Sequence, residues 1–186
     1  MGRRLPTWLT KGECLKLLDL ELAARDRAIL SLLMYGGLRS NELRCLNIED
    51  LDFEEGSILI RHGKRGRQRI VTMNSELKPA LRAHLNGRRT GALFLSQRQR
   101  RITNRGLRYV VKRWGERAGI QKRIHPHALR HTFAVLMLEG AVDLKTIQDL
   151  MGHESIKTTA IYLHCTTQRK RWAVEQICLR ANRDDG

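Results

Sequence analysis

The first part of the chain carries apolar side chains at helical spacing, separated by turn residues. Thr10 followed by Glu13 has the spacing of a capping box, which predicts a helix that begins at about Lys11. A second apolar stripe begins at about Leu22 and stops at Gly36, where a glycine pair favours a turn. The pattern therefore predicts two successive helices that each bury an apolar face.

A third, short helix is predicted directly after this turn, because Ser40 is a suitable N-cap and Leu43 and Leu46 follow it. Arg39 then lies at the junction between two buried helices. Such a rigid junction suits an arginine that must be fixed in one position for function. A surface arginine after a turn gives the same pattern, so this stretch alone leaves both interpretations open.

Residues 48–72 change from helical to strand character. The pattern predicts three short antiparallel strands, at residues 51–53, 58–61 and 68–72. The last two flank the loop 62–67, where Gly63 and Gly66 allow tight turning and Lys64 lies at the tip. A lysine on such a loop can reach a phosphate group, although most basic turns are simply solvated.

An acidic patch precedes the hairpin and consists of Glu49, Asp50, Asp52, Glu54 and Glu55. Clustered carboxylates can form the metal site of a two-metal nuclease. No histidine or second acidic cluster lies nearby in the sequence to complete such a site. We interpret the patch as a solvated strand and turn, with a metal-dependent nuclease as the alternative.

Helical spacing returns in the second half of the chain. Four helices are predicted to begin near Ser75, within residues 98–123, at His125-Pro126 and at Asp143, and to end at Gly87, Gly119, Gly140 and Gly152. Ser155 caps a further helix with Tyr162 near its end. A last helix, at residues 168–181, has no obvious place in the core and packs either in cis or on a neighbouring copy.

These elements predict a mainly α fold with one small three-stranded antiparallel sheet, of the α+β class. The length of 186 residues and the 41% hydrophobic content suit a single domain, residues 1–186. The four cysteines show no metal-binding spacing, and we expect reduced thiols in a cytoplasmic protein. No secretory signal and no membrane anchor is evident.

The charge balance points to a polyanionic partner. The formal net charge is +16, and residues 98–123 contain ten basic side chains against the single acid Glu116. With only 5% aromatic residues, the chain does not resemble a single-strand binder that stacks bases on rings. We expect double-stranded DNA as the partner, with backbone phosphates contacted by Arg65, Arg67, Arg101, Arg105, Arg108 and Lys112.

The helix that begins at His125 carries a second polar group. His127, Arg130 and His131 lie three to four residues apart, on a face that we expect to be too polar for the core. His127 and His131 have the spacing of a zinc pair, but the glutamate of the HExxH motif is absent. We therefore expect these side chains to act without a metal.

A phosphodiester substrate would give these residues a common role. Arg39 and Arg130 can bind the non-bridging oxygens of a pentavalent phosphoryl group in forked geometry. His127 and His153 can donate further hydrogen bonds to the same oxygens. Since these cations are fixed in place, no metal or other cofactor is required.

Tyr162 is the candidate nucleophile, since surrounding cations would lower the pKa of its phenol from about 10. Lys64 is the candidate donor of the proton that the leaving 5′ oxygen needs. Tyr35 follows an apolar helix and Tyr109 lies inside the basic helix. We interpret both as structural residues.

At this point the sequence resembles the tyrosine recombinase family, which includes phage integrases and Xer-like proteins. The resemblance rests on four ordered segments: GGLRSNEL, which gives Arg39 and its acidic partner Glu42; GKRGRQR, which gives Lys64; HPHALRHTFA, which gives His127, Arg130 and the supporting His131; and MGHESIKTTAIYLH, which gives His153 and Tyr162. Any one segment is a weak signal, whereas the ordered set across nearly the whole chain is specific.

The resemblance implies the tyrosine recombinase catalytic-domain fold and a site-specific DNA recombinase or integrase. It also implies a 3′-phosphotyrosyl intermediate, strand exchange without ATP or metal, and a tetramer on paired DNA sites. The helix at 168–181 would then pack into a neighbouring protomer. Family members usually carry a separate N-terminal domain that closes around DNA, which is absent here, so the chain is either a fragment or a compact enzyme.

Two further functions remain open at this stage. A non-catalytic DNA-binding or architectural protein would explain the charge and the basic stretch. A type IB topoisomerase would share the chemistry but relax DNA without a specific site. For each of them we expect a cytoplasmic, nucleoid-associated protein.

Overall fold

The computed structural model describes residues 7–61, 63, 66 and 68–152. Within this part the chain forms α-helices, one short 3-10 helix and a small sheet, which confirms the predicted fold class. In chain order the elements are α1 (Lys11–Leu18), α2 (Ala24–Tyr35), α3 (Ser40–Cys45), the 3-10 helix (Ile48–Asp50), β1 (Leu51–Asp52), β2 (Ser57–Ile60), β3 (Arg69–Thr72), α4 (Leu77–Leu85), α5 (Asn104–Arg117), α6 (Pro126–Glu139) and α7 (Leu144–Met151).

The sheet is antiparallel, with the strand order β1-β2-β3, as predicted. Ile58 pairs with Val71, and Ile60 pairs with Arg69. Because side chains alternate along a strand, Arg69 shares its face with the buried Val71, whereas Ile70 is exposed on the other face. The hairpin thus turns one charged residue towards the interior.

Local capping sets several helix starts. The Thr10 amide donates to Glu13 Oε2 at 2.7 Å, and the Glu13 amide donates to Thr10 Oγ1 at 3.3 Å. At α7 the Thr146 amide donates to Asp143 Oδ1 at 2.9 Å. His125 is the N-cap of α6. The predicted starts at Thr10, His125 and Asp143 are therefore confirmed.

The predicted N-cap at Ser40 is wrong by one residue. Ser40 is the first residue of α3, and Arg39 is its N-cap. The carboxylate of Glu42, at the third position of the helix, accepts the Arg39 amide at 2.8 Å, which is the contact that a glutamate makes with the N-cap residue in a capping box. Arg39 and Glu42 are consequently linked through the backbone as well as through their side chains.

Helix α2 lies at the centre of the core and packs against both α4 and α6. Residues 28–34 are all buried, so this helix has no solvent-facing stripe. A second group of apolar side chains joins Phe133 and Leu138 of α6 to Ile147 and Met151 of α7. None of the helices in the described residues is long and apolar enough to span a membrane.

The prediction of a solvated acidic patch holds for four of its five residues, because Glu49, Asp52, Glu54 and Glu55 are exposed. Asp52 accepts the amides of Glu54 and Glu55 and shapes the turn between β1 and β2. Asp50 is the exception: it is buried, accepts the Asn47 amide at 2.9 Å and pairs with Arg61 Nε at 2.6 Å.

Two other buried carboxylates connect distant elements. Asp26 of α2 accepts hydrogen bonds from the Arg113 guanidinium at 2.5 Å and from Trp114 Nε1 at 2.8 Å. These contacts attach the basic helix α5 to the central helix. A buried charge is tolerated only when it is paired in this way.

The second of these buried carboxylates is that of Glu42 in α3. Its side chain accepts hydrogen bonds from the guanidinium groups of Arg69 and Arg39. Burial is the largest influence on the pKa of this carboxyl and raises it, but the contacts with Arg69 and Arg39 outweigh burial and lower the pKa to about 2. Glu42 is therefore ionised in the folded protein.

We expect Asp26→Asn to lower the free energy of unfolding by about 1.5–3 kcal/mol, because the charged hydrogen bonds from Arg113 and Trp114 are lost. Urea unfolding followed by circular dichroism measures the change. Asp19→Asn is the control, because Asp19 is exposed and its replacement should cost less than about 0.5 kcal/mol. Equal effects of the two substitutions would contradict the role of Asp26.

We expect Glu42→Gln to destabilise the protein in a pH-dependent way. A carboxyl whose folded pKa is lowered stabilises the fold above its ordinary pKa of 4.5, and this contribution disappears as the pH falls from 4.5 to about 2. The difference in unfolding free energy between the wild type and Glu42→Gln should thus narrow over that range, by on the order of 3 kcal/mol.

Denaturant unfolding at a series of pH values tests this prediction. Glu116→Gln is the control, since Glu116 is exposed and contacts only Lys112 among the ion pairs of the described residues. Its difference from the wild type should stay small at every pH. A Glu42→Gln difference that does not change with pH would contradict the prediction.

Candidate active site

Arg39 lies where α2 turns into α3. Its Nη1 donates to Glu42 Oε1 at 2.7 Å, and its Nη2 donates to the carbonyl oxygen of Gly152 at 2.9 Å. The side chain is still 28% exposed. Arg39 is thus fixed at a rigid junction, as predicted, while part of its guanidinium faces solvent.

Arg130 of α6 reaches the same place from a different helix. Its guanidinium donates to the carbonyl oxygens of Gly37 and Met151, the latter at 2.7 Å. Its Nη1 lies 4.0 Å from Glu42 Oε2. The guanidinium groups of Arg39 and Arg130 therefore meet at one carboxylate and at one turn, although the two residues are far apart in sequence.

The prediction that this face of α6 is too polar for the core is wrong for Arg130 and His131, which are only 1% and 8% exposed. Arg130 can be buried because backbone carbonyl oxygens and Glu42 surround its charge. Only His127 of the three residues remains exposed.

Arg69 of β3 completes the group and was not predicted. Its Nη1 and Nη2 donate to the two carboxylate oxygens of Glu42, both at 2.8 Å, in the forked geometry that arginine favours. Its Nε donates to the carbonyl oxygen of Leu150 at 3.2 Å. A signal was present in the sequence, because Arg69 occupies the position of an inward-facing residue in an alternating strand.

Two glycines with positive φ make these contacts possible. Gly37 has a φ of +58°, and a Cβ there would lie 2.5 Å from the Phe133 ring. Gly152 has a φ of +61°, and its Cβ would lie 3.1 Å from Arg69 Cδ. The missing side chain leaves room for the Phe133 ring at Gly37 and for Arg69 at Gly152, and glycine tolerates the positive φ at both positions.

The histidines line the edge of this group. The rings of His127 and His131 pack edge to face with their centroids 4.2 Å apart, and the His125 ring lies 6.4 Å from that of His127. Partial burial is the largest cause of a lowered pKa at His127, and the charges of Arg130, His125 and Arg39 act in the same direction. Neutral imidazole is thereby favoured.

The other predicted catalytic residues, Lys64, His153 and Tyr162, lie outside the described residues, as do the predicted phosphate contacts Arg65 and Arg67. The structure does describe residues next to two of them, Lys64 and His153. The loop that carries Lys64 connects β2 to β3, and His153 follows Gly152 directly in the sequence. Both attachment points lie at the arginine group, through Arg69 and through the Gly152 carbonyl.

The predicted contacts on the basic helix fall into two groups. Arg105, Arg108 and Lys112 are exposed on α5, where they can meet a phosphate backbone. Arg101 differs, because its guanidinium donates to the carbonyl oxygens of Arg44 and Leu46 and to Asn47 Oδ1. These contacts join the segment before α5 to the end of α3.

Tyr35 and Tyr109 were both interpreted as structural residues. Tyr35 is partly buried and packs against the core. Tyr109 is 63% exposed on α5 and does not belong to the core, and the Arg113 guanidinium lies over its ring.

Metal chemistry has no support in the described part of the chain. No group of three or more histidine, cysteine, aspartate or glutamate side chains that could bind a metal ion occurs among these residues. Asp50 and Glu49, the first two residues of the acidic patch, accept the Asn47 and Gly91 amides instead. Cys14 and Cys45 are free thiols, and burial raises the pKa of Cys14 to about 11.

Comparison with known proteins gives close relatives along the whole chain. Tyrosine recombinase XerC of Pseudomonas fluorescens is 40% identical over 194 residues, which cover 99% of this chain and 64% of that protein. Tyrosine recombinase XerA of Thermococcus kodakarensis is 38% identical, with 95% of this chain and 64% of that protein covered. The chain therefore spans somewhat less than two thirds of the length of these relatives.

Solved structures agree with this result. The crystal structure of XerA recombinase matches with a TM-score of 0.85 and 34% identity, covering 97% of this chain and 66% of that one. The XerH site-specific recombinase bound to a palindromic difH substrate matches with a TM-score of 0.78 and 30% identity, covering 92% of this chain and 53% of that one.

The profile of the phage integrase family matches residues 7–169, which include every predicted catalytic position from Arg39 to Tyr162. The order of the segments, the helical fold with its small sheet and the similarity to the Xer proteins lead to one conclusion. The chain belongs to the phage integrase family of tyrosine recombinases, and its fold is that of their catalytic domain.

Proposed function

We propose that this chain catalyses site-specific DNA recombination, in which DNA strands are cleaved and rejoined through a 3′-phosphotyrosyl intermediate on Tyr162. The observation that supports the proposal best is the meeting of Arg39 and Arg130, which come from different helices, at one turn. Two adjacent guanidinium groups can stabilise the negative charge of a pentavalent phosphoryl group. The proposed partner is double-stranded DNA, and the related XerH is bound to a palindromic difH substrate in its solved structure.

Arg39 and Arg130 would contact the phosphate differently. Arg39 already faces solvent with part of its guanidinium, whereas Arg130 is almost completely buried beneath the turn at Met151 and Gly152. Arg130 can therefore donate a hydrogen bond to a non-bridging oxygen only if this turn moves. In the present arrangement Arg130 contributes its positive charge without touching the phosphate. His127, which is exposed beside both arginines, donates a further hydrogen bond from its N–H.

Lys64, His153 and Tyr162 complete the proposed chemistry. The phenolate oxygen of Tyr162, after loss of its proton to solvent, forms a bond to phosphorus as the bond to the 5′ oxygen breaks. Lys64 gives a proton to the departing 5′ oxygen, and His153 donates to a non-bridging oxygen. Attack by a 5′ hydroxyl on the phosphotyrosine reverses these steps. One phosphoester replaces another, so neither ATP nor a metal is needed.

The exposed face of α5 supports duplex binding. Arg105, Arg108 and Lys112 lie on successive turns of one helix and are exposed. Such a row can track a phosphate backbone without reading bases. We include Arg65 and Arg67 of the hairpin loop in the same role. Arg101 is left out, because its guanidinium is bonded within the protein.

Assembly is the other part of the proposal. An apolar cavity of about 400 Å³ lies beside the arginine group and is lined by Met34, Tyr35, Val71, Phe133, Met137 and Leu150, among others. The predicted helix at residues 168–181 is a suitable occupant, because Trp172, Ile177 and Leu179 give it apolar side chains. We propose that this helix of a neighbouring copy fills the cavity in a tetramer on paired DNA sites, in the cytoplasm at the nucleoid.

A covalent-adduct assay tests the proposed chemistry. The protein is incubated with a pool of nicked duplexes whose central sequence is randomised, so that the short cleaved fragment diffuses away and the adduct accumulates. We expect a denaturant-resistant adduct that is insensitive to chelators and absent in Tyr162→Phe. Tyr109→Phe is the matched control and should form the adduct like the wild type, because Tyr109 is an exposed tyrosine outside the proposed site.

The adduct assay separates the competing functions. An undiminished adduct in Tyr162→Phe would contradict the assigned nucleophile. Salt-sensitive DNA binding without any adduct in the wild type would favour the non-catalytic DNA-binding function instead. Sequencing of the captured duplexes adds a further criterion, because a recombinase should select a site and a relaxing enzyme should not.

A second prediction concerns the cavity. Met137→Glu places a charge in its apolar wall, so the variant should fail to form the assembly on paired sites that the wild type forms. Sedimentation of the protein with DNA measures this, and the single-site adduct should persist. Leu15→Glu is the control, because Leu15 is an exposed apolar residue on α1. Equal assembly of Met137→Glu and wild type would contradict the proposed occupant.

A further inference from the structure

We propose that Arg69 is a positioning residue of the strand-transfer site, which clamps the Glu42 carboxylate to the end of α7 and thereby sets Arg39 and the segments that carry Lys64 and His153. The inference rests on the proposed function, because it assigns a part in that reaction to a residue that lies outside the predicted catalytic set.

The clamp joins three elements through one side chain. From β3, Arg69 donates through both Nη atoms to Glu42 of α3 at 2.8 Å, and through Nε to Leu150 of α7 at 3.2 Å. The side chain is only 12% exposed and Glu42 is only 2% exposed, so solvent does not compete for these bonds. A planar guanidinium with N–H groups on three nitrogens is suited to serve such diverging acceptors at once.

Arg39 depends on the same carboxylate. Glu42 Oε1 accepts from Arg39 Nη1 at 2.7 Å and from Arg69 Nη1 at 2.8 Å, while Oε2 accepts the Arg39 amide at 2.8 Å. The fork from Arg69 fixes the plane of the carboxylate. It therefore also fixes the direction in which Arg39 presents its exposed edge to a phosphate.

The clamp also lies between the two segments that carry the remaining groups. Lys64 precedes Arg69 by only five positions in the sequence, and His153 follows Gly152 directly. A Cβ on Gly152 would lie 3.1 Å from Arg69 Cδ, so the turn packs directly on this side chain. A shift of Arg69 would thus be transmitted to the hairpin and to the turn at the same time.

A lysine at position 69 would keep the positive charge but could not form the paired hydrogen bonds that hold the Glu42 carboxylate. Its ammonium is a compact point charge that cannot form the planar fork with a carboxylate. Arg69→Lys is therefore the informative substitution. Arg88→Lys is the matched control, because Arg88 also bonds backbone carbonyl oxygens, those of Ala92 and Leu93, but does so at the end of α4.

The experiment measures DNA affinity and single-turnover adduct formation at saturating DNA, together with hydrogen exchange of the peptide that contains residues 148–152. We expect Arg69→Lys to form the adduct about 100-fold more slowly, since small misplacements of reacting groups cost about that factor. Its DNA affinity and its circular dichroism spectrum should remain those of the wild type, and exchange in 148–152 should be faster. Arg88→Lys should match the wild type in the rate of adduct formation and in exchange of that peptide.

The pH dependence of the rate of adduct formation distinguishes a positioning residue from a purely structural one. The groups that face Glu42 are Arg39 at the start of α3, Arg69 of β3 and Arg130 of α6. In Arg69→Gln the fork that offsets the effect of burial on the Glu42 pKa is lost, so this pKa rises from about 2. The ratio of the Arg69→Gln rate to the wild-type rate should then fall as the pH is lowered towards this raised pKa.

Each outcome decides one of the two proposals. If the wild type forms no adduct, the proposed function is wrong, and the exchange of residues 148–152 still decides whether Arg69 clamps the turn. Wild-type adduct rates and exchange in Arg69→Lys would overturn the inference. A slower adduct that is fully explained by weaker DNA binding or by partial unfolding would overturn it as well. If Arg69→Lys does not fold, Arg69→Gln and its pH profile decide instead.

Discussion

One buried carboxylate, that of Glu42, determines how this catalytic domain is arranged. Removing a carboxylate from water is costly, and burial alone would favour its neutral form. The contacts with Arg69 and Arg39 reverse that preference, so that the charge persists in the interior. Since Arg39, Arg69 and Arg130 come from three different elements, the need to neutralise one charge brings α3, β3 and α6 to one point.

The turn after α7 is the second partner of the same arginines. The carbonyl oxygens of Leu150, Met151 and Gly152 accept from Arg69, Arg130 and Arg39 respectively. Three successive carbonyl oxygens thus point at three cations, at the end of a helix whose dipole is negative there. The segment that leads to His153 is therefore positioned by the same charges that we propose bind the phosphate. In this proposal, substrate binding and active-site assembly depend on one set of side chains.

Local features of the chain could be predicted from the sequence, and features that depend on distant partners could not. The capping residues Thr10 and Asp143 act within one helical turn, so their pattern is sufficient evidence. Arg39 and Arg130 were chosen because two arginines suit a phosphoryl group, and the ordered segments of the family resemblance gave the same pair. The burial of Arg130 was not foreseen, because its acceptors, Gly37 and Met151, lie 93 and 21 positions away. Arg69 was missed for the same reason, since Glu42 precedes it by 27 positions.

The positive charge of the chain has two separate uses in the structure, and net charge alone cannot distinguish them. At the site, three guanidinium groups around one carboxylate leave a formal charge of about +2, which attracts a phosphate without leaving the arginines to repel one another. On α5, the inward-facing Arg113 is bound by Asp26, whereas Arg108 and Lys112 point outwards. A buried acid therefore orients each basic surface. The paired charge faces the core, and the surplus charge faces solvent, where we propose that it binds DNA.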